Sequence, residues 1–150
     1  LCFMQLIIFT GVQASGKSTF YKHYFYDTHL RINLDMLKTR RRENILFEAA
    51  LRSKTKMVID NTNMTIYDRE RYIQRAKDAD FDVVSFYFET DLESTLHRNT
   101  QREGKANIPE QGVKATFYKL QKPTSSEGFN ALFKVKLIEN DGFSILPIND

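Results

Sequence analysis

The 150-residue chain predicts an α/β fold, a parallel sheet flanked by helices on both faces, and three observations carry that prediction. Segments rich in β-branched and aromatic residues alternate with segments of helical periodicity, the pattern of strand-helix-strand units. The apolar run MQLIIFT, Met4 to Thr10, reads as a buried first strand and leads directly into GVQASGKST, Gly11 to Thr19. No repeat, linker or low-complexity tract interrupts the chain, so residues 1–150 read as one domain, large enough to bury about two-thirds of its unfolded surface.

The elements follow in order. Ser18 to Phe25 has the pattern of a first helix, then comes a turn, and Leu30 to Asn33 is a short strand. Asp35 opens a helical stretch that contains KTRRR and continues through ENILFEAALRSK, with Ile45, Leu46, Ala49 and Ala50 at helical spacing. Met57 to Asp60 is a third strand and Asn61 to Met64 a loop. Thr65 with Asp68 forms a capping box for a helix to about Ala79. FDVVSFYFE is a strong strand. Thr90 with Glu93 suggests a second capping box for the helix DLESTLHRNTQRE, closed by Gly104. Pro109 opens the helix PEQGVKATFYKLQ, and Ala131 to Glu139 reads as the last strand.

The stretch GVQASGKST fits G-x-x-x-x-G-K-[ST] between a strand and a helix. Gly11 and Gly16 permit the tight turn. The backbone N–H groups of Ala14, Ser15 and Gly16 onward, with the positive end of the following helix, make a hollow that solvates a polyphosphate. Lys17 would reach the β- and γ-phosphates, Ser18 would face Mg²⁺, and Thr19 completes the motif. An ordinary glycine turn capping a helix shares some of these residues but not this strand-loop-helix context.

Composition narrows the setting. Hydrophobic residues make up 41% and charged residues 27%, with no apolar run near the roughly 20 residues that span a bilayer. LCFMQLIIFT lacks the basic flank and cleavage site of a secretory signal. Cys2 is the single cysteine, so no intrachain disulfide forms, and a cytoplasmic location is expected. A net charge of +3 and pI near 9.0 suit a polyanionic partner without requiring one. His23, His29 and His97 lack metal-ligand spacing.

In a sheet of this kind ligands sit at the carboxyl ends of the strands, where Asp35 and Asp60 both fall. Phosphoryl transfer needs a metal, positive clamps and one carboxylate to accept the acceptor hydroxyl's proton. Either aspartate fits that role; a helix N-cap for Asp35 and a turn residue for Asp60 are the plainer alternatives. Arg98 and Arg102, four apart, share one helix face before EGKANIP and suit a lid over the transferring group. Lys38, Arg40, Arg41 and Arg42 are the densest basic cluster, placed where an acceptor bearing phosphates would lie, or else a solvated helix face. Phe117, Tyr118 and Phe129 are candidates for stacking on a base.

Taken in order, GVQASGKST, Asn33-Leu34-Asp35, IDNTN at Ile59 to Asn63, HRNTQRE, Ile108-Pro109 and PTSSEGF at Pro123 to Phe129 resemble the kinase domain of polynucleotide 5'-hydroxyl kinases, members of the P-loop kinase superfamily. The resemblance runs from about Leu6 to Phe133. It implies a P-loop kinase fold with a helical lid and transfer of the γ-phosphate of ATP or GTP to 5'-OH ends of DNA or RNA in end repair. By that similarity Lys17 and Ser18 hold phosphates and Mg²⁺, and Asp35 is the general base. Asp60 helps organise metal and acceptor, with Asn61 and Asn63 beside it, and Arg98 and Arg102 meet the donor phosphates. Lys38 and Arg41 are the basic acceptor contacts. Two departures touch acceptor handling: Leu34 stands where relatives commonly carry Arg, and Lys38 where some do, offering a point charge rather than a bidentate fork. A D-x-D-x-T-type phosphatase motif is absent, so kinase activity without phosphatase activity is expected. Two other functions compete: a P-loop kinase of a small hydroxylated molecule, such as a nucleoside, sugar or antibiotic, and a nucleotide-switched binding module that transfers nothing.

Overall fold

A computed structural model describes residues 4–101, 109–138 and 142–150. Among the described residues six strands form one sheet: β1 (Gln5–Thr10), β2 (Leu30–Ile32), β3 (Met57–Ile59), β4 (Asp82–Phe88), β5 (Ala131–Ile138) and β6 (Gly142–Pro147). Their order is β2-β3-β1-β4-β5-β6. The first five run parallel and β6 pairs antiparallel to β5. The helices are α1 (Lys17–Tyr24), α2 (Leu34–Leu37), α3 (Arg40–Arg52), α4 (Ile66–Asp78), α5 (Leu92–Thr100) and α6 (Glu110–Lys119). The predicted class, a mostly parallel sheet flanked by helices, is the one observed.

The central strand shows why the sheet needs two covering layers. Successive side chains of a strand point to opposite faces. Leu6 and Ile8 of β1 join one buried cluster, with Phe47 and Leu51 of α3 and Tyr72, Ile73 and Ala76 of α4. Ile7 and Phe9 join a second, with Phe20 and Tyr21 of α1 and Val58, Val84, Phe88 and Val135. That second layer is aromatic: Phe20 meets Phe88 edge-on at 5.2 Å between centroids, and Phe143 of β6 at 5.0 Å. Edge-to-face pairs at such distances add to area burial through the ring quadrupoles.

Four sequence expectations change. The helix predicted from Asp35 onward is two helices, because Lys38 takes a left-handed backbone (φ 77°) as it caps α2 and the Thr39 side chain then caps α3 by accepting the Arg42 N–H at 3.1 Å. Helix α5 is capped by Asp91, not Thr90: the Asp91 carboxylate accepts the Ser94 N–H at 2.7 Å. Ala131 to Glu139 is not the last strand, since Gly142–Pro147 adds an antiparallel edge ending in proline, a residue edge strands tolerate. Phe129 lies in the core at 7% exposure and cannot stack on a base there. The capping box of Thr65 and Asp68 forms as predicted. Gly104 lies outside the described residues.

Candidate active site

The site is assembled at the carboxyl edge of adjacent strands. The phosphate loop leaves β1, Asp60 follows β3, and Asp35 follows β2 at the second position of α2. Strand spacing of about 4.8 Å sets the β2 end about 10 Å from the β1 end.

Within the loop, conformations match the residue types. Gly16 has φ 100° and Ala14 φ 62°, both left-handed. Gly11 is required for a different reason: a Cβ there would stand 2.8 Å from Ser15 Oγ and 2.9 Å from Phe88 Cβ. Ser15 donates to the Val12 carbonyl at 2.7 Å. Lys17 Nζ folds back over the loop, donating to the carbonyls of Gly11 (2.9 Å) and Val12 (2.7 Å). Ser18 and Thr19 are exposed at the start of α1. Two buried polar atoms at the loop, Thr10 Oγ1 and Gln13 Oε1, have no hydrogen-bond partner among the described residues. A loop rich in N–H donors with a cationic side chain is chemically suited to an anion.

Asp60 is 2% exposed and accepts Arg31 Nε at 2.8 Å. The same guanidinium donates through Nη2 to Ser18 Oγ at 3.2 Å. The two oxygens that the sequence reading expected at Mg²⁺ therefore both face the Arg31 guanidinium. Asp60 and Ser18 are oxygen ligands of the kind Mg²⁺ takes, and a divalent ion would reach them only with the Arg31 guanidinium displaced. Sequence reading missed Arg31, whose only signal was a charged residue inside a three-residue strand.

Asp35 is exposed and has no hydrogen bond or ion pair among the described residues. Asn33, not Asp35, caps α2: its Oδ1 accepts the Met36 N–H at 2.9 Å while its Nδ2 donates to the Asp60 carbonyl at 2.6 Å. Asn61 Oδ1 accepts the Leu34 N–H at 2.8 Å. Asn63 is buried and donates to the Phe9 carbonyl at 2.8 Å, fixing the loop after β3 to the end of β1. Arg69, fully buried, supports that loop by donating to the Asn63 carbonyl at 2.8 Å and gripping Glu127 with two bonds, at 2.8 and 3.1 Å. Arg69 thus ties the IDNTN loop to the PTSSEGF segment: Glu127 holds the arginine that holds the loop.

Arg98 reaches the phosphate loop from α5, donating through Nε to the Ala14 carbonyl at 2.6 Å and through Nη2 to Thr90 Oγ1 at 2.7 Å. Burial pushes its pKa below the ordinary arginine value, partly opposed by Asp91. Arg102 lies outside the described residues. Of the basic cluster, Lys38 and Arg41 are exposed at the α2–α3 junction, whereas Arg40 is committed to Glu43 (2.8 Å) and the Tyr72 hydroxyl (3.1 Å). Arg42 donates to the Leu37 carbonyl at 3.3 Å. Tyr118 is exposed on α6 with Phe117 beside it. Among the described residues no group of three or more His, Cys, Asp or Glu could hold a metal, and no helix is long and apolar enough to cross a membrane.

Comparison with known proteins adds lineage to this geometry. A family model described as an AAA domain matches residues 37–123. A bifunctional polynucleotide phosphatase/kinase of Schizosaccharomyces pombe is 28% identical over 135 residues, 87% of this chain and 33% of that protein. A putative bifunctional polynucleotide phosphatase/kinase of Acanthamoeba polyphaga mimivirus is 35% identical over 100 residues, 65% of this chain and 24% of that protein. An L-seryl-tRNA(Sec) kinase of Methanococcus maripaludis is 28% identical over 137 residues, 79% of this chain and 53% of that protein. The chain thus spans about a quarter to a half of the relatives it matches. Among solved structures, Chaetomium thermophilum Kti12 in complex with ADP-AlF3 superposes with a TM-score of 0.71 over 91% of both chains at 17% identity, a likeness of fold.

Proposed function

We propose, from the premise that this chain belongs to the AAA domain family and has a P-loop kinase fold, that it transfers the γ-phosphate of ATP or GTP to the 5'-hydroxyl of a polynucleotide. The observation that carries this reading is the convergence on one sheet edge of the phosphate loop, the Arg98 guanidinium and the Asp35 carboxylate, which has no partner among the described residues. The two relatives named as polynucleotide phosphatase/kinases support the acceptor class.

The chemistry distributes as follows. The acceptor hydroxyl oxygen attacks the γ-phosphorus in line, its proton passes to Asp35, and the bond to the leaving nucleoside diphosphate breaks. Lys17 unfolds from the Gly11 and Val12 carbonyls onto the donor phosphates, and Arg98, with Arg102, steadies the charge spread over the transferring group. Ser18 and Asp60 would hold Mg²⁺, which when bound with the nucleotide neutralises phosphate charge. Lys38 and Arg41 face the acceptor's own phosphates; Asn61 and Asn63 shape the floor of the acceptor side. End repair of DNA or RNA is the setting this activity suits.

Incubating the protein with γ-labelled ATP and a 5'-OH oligonucleotide is expected to label the 5' end. A second reading, a kinase of a small hydroxylated acceptor such as a nucleoside or sugar, draws on the commitment of Arg40 in the basic cluster to Glu43 and Tyr72. The joint replacement Lys38→Ala, Arg41→Ala separates the two. A polynucleotide acceptor predicts a raised acceptor KM and a shallower salt dependence, by about one unit of log-log slope per lost phosphate contact; an unchanged salt slope favours the second reading. Arg40 is left intact in that test, because its loss would disturb a buried carboxylate.

A further inference from the structure

That buried carboxylate is Glu43, at 3% exposure near the start of α3. An ionised carboxylate out of water must have its lone pairs met by donors. Glu43 meets that need with three: Arg40 Nη1 (2.8 Å) and the Tyr72 hydroxyl (2.9 Å) on Oε1, and Asn61 Nδ2 (2.9 Å) on Oε2. Burial, with Glu43 next, pushes the Tyr72 phenol up to about 12, so it keeps the proton it donates.

The third contact is the consequential one. An amide side chain offers a donor at one end and an acceptor at the other, and a carboxylate accepts only. With Nδ2 committed to Glu43, Asn61 must present Oδ1 on its other side, where it accepts the Leu34 N–H at 2.8 Å. Leu34 is the first residue of α2 and the neighbour of Asp35. A four-residue helix has little stability of its own, and α2 is pinned at its start by this bond and by Asn33, which bridges Met36 and the Asp60 carbonyl. Asp35 itself has no partner among the described residues, so its place follows from the backbone that carries it.

We infer that Glu43 is a positioning residue for phosphoryl transfer: by fixing the orientation of the Asn61 side chain it sets the start of α2 and hence the approach of Asp35 to the acceptor hydroxyl. The inference rests on the assignment of Asp35 as base. Glu43 is buried, and its role runs through Asn61 rather than through either substrate. Misplacement of a reacting group by about 1 Å can cost about a hundredfold in rate, so a change 18 residues upstream of Asn61 becomes visible in turnover.

The test is Glu43→Gln, which preserves shape but lets the Asn61 amide turn over. Two readouts are taken on the full chain: exchange of the Leu34 backbone amide by NMR, and steady-state kinetics with a 5'-OH oligonucleotide. Expected are Leu34 exchange faster by at least tenfold, kcat lower by tenfold to a hundredfold, and nucleotide Kd within twofold of the unaltered protein. Glu43→Asp, which keeps the charge but withdraws the reach to Asn61, should give the same pattern and stands in if the Gln variant does not fold. Unchanged Leu34 exchange, or kcat within twofold in a folded variant, overturns the inference, as does a kcat loss matched by an equal loss of nucleotide affinity, the mark of general destabilisation. Failure of the unaltered protein to label a 5'-OH end would instead remove the functional reading, while the Leu34 exchange would still decide whether Glu43 governs α2.

Discussion

His29 shows how one side chain can make the whole molecule sensitive to pH. It is 8% exposed, with Nδ1 against Thr28 Oγ1 at 2.7 Å and Nε2 against Gln5 Oε1 at 2.9 Å. Burial, helped by the charge of Lys56, lowers its pKa from 6.5 to about 4. The unfolded chain therefore binds a proton between pH 6.5 and 4 that the folded chain refuses, and stability falls with pH across that window. Above pH 6.5 the effect is absent; below 4 it grows no further. Denaturant midpoints measured from pH 7.5 to 4 should show this slope, and His29→Gln should flatten it. Also at this scale, the sequence singled out Lys17 and Ser18 as candidates by their motif positions and Asp35 and Asp60 by their places at strand ends, and the structure puts all four at the carboxyl edge of the sheet. The sequence hid Arg31 and Glu43, because a charged residue acquires its meaning from the buried partner it meets, and those partners lie 29 and 18 residues away.

At the scale of elements, the legible features were those with local causes. The Thr65 and Asp68 box closes within one turn and formed as read. The break between α2 and α3 went unread because Lys38 in a left-handed conformation is a costly choice for a residue with a side chain, and only the two caps around it make it acceptable. The edge strand β6 is specified by its pairing with β5 and by Phe143 reaching Phe20, neither of which is local. The tie between α4 and the Ser125–Glu127 turn is likewise long-range, and here the energetic consequence is large. Arg69 is wholly buried, so Glu127→Ala leaves its guanidinium without a counter-charge, a change expected to cost about 3 to 5 kcal/mol. Chemical denaturation read by circular dichroism should report a loss in that range, and a loss under about 1 kcal/mol would show the pair to be incidental.

For the molecule as a whole, the strand order β2-β3-β1-β4 is what turns separate motifs into one site. Asp35, Asp60, the phosphate loop and Arg98 are spread over 88 residues of sequence yet follow four adjacent strands, so one edge of the sheet collects them. The fold class and this general placement could be read from the alternation of elements, since parallel sheets bind ligands at their carboxyl edge. The acceptor could not be read from fold or loop, because one kinase scaffold serves many hydroxyls. The measurement that tests the account most directly is transfer of a labelled γ-phosphate to a 5'-OH oligonucleotide by the unaltered protein and by Asp35→Asn, with nucleotide binding followed in parallel. The account predicts end-labelling by the former and a loss of about 100-fold or more in the variant, with nucleotide affinity retained. Equal transfer by both, or none by the unaltered protein with any DNA or RNA end, would contradict it.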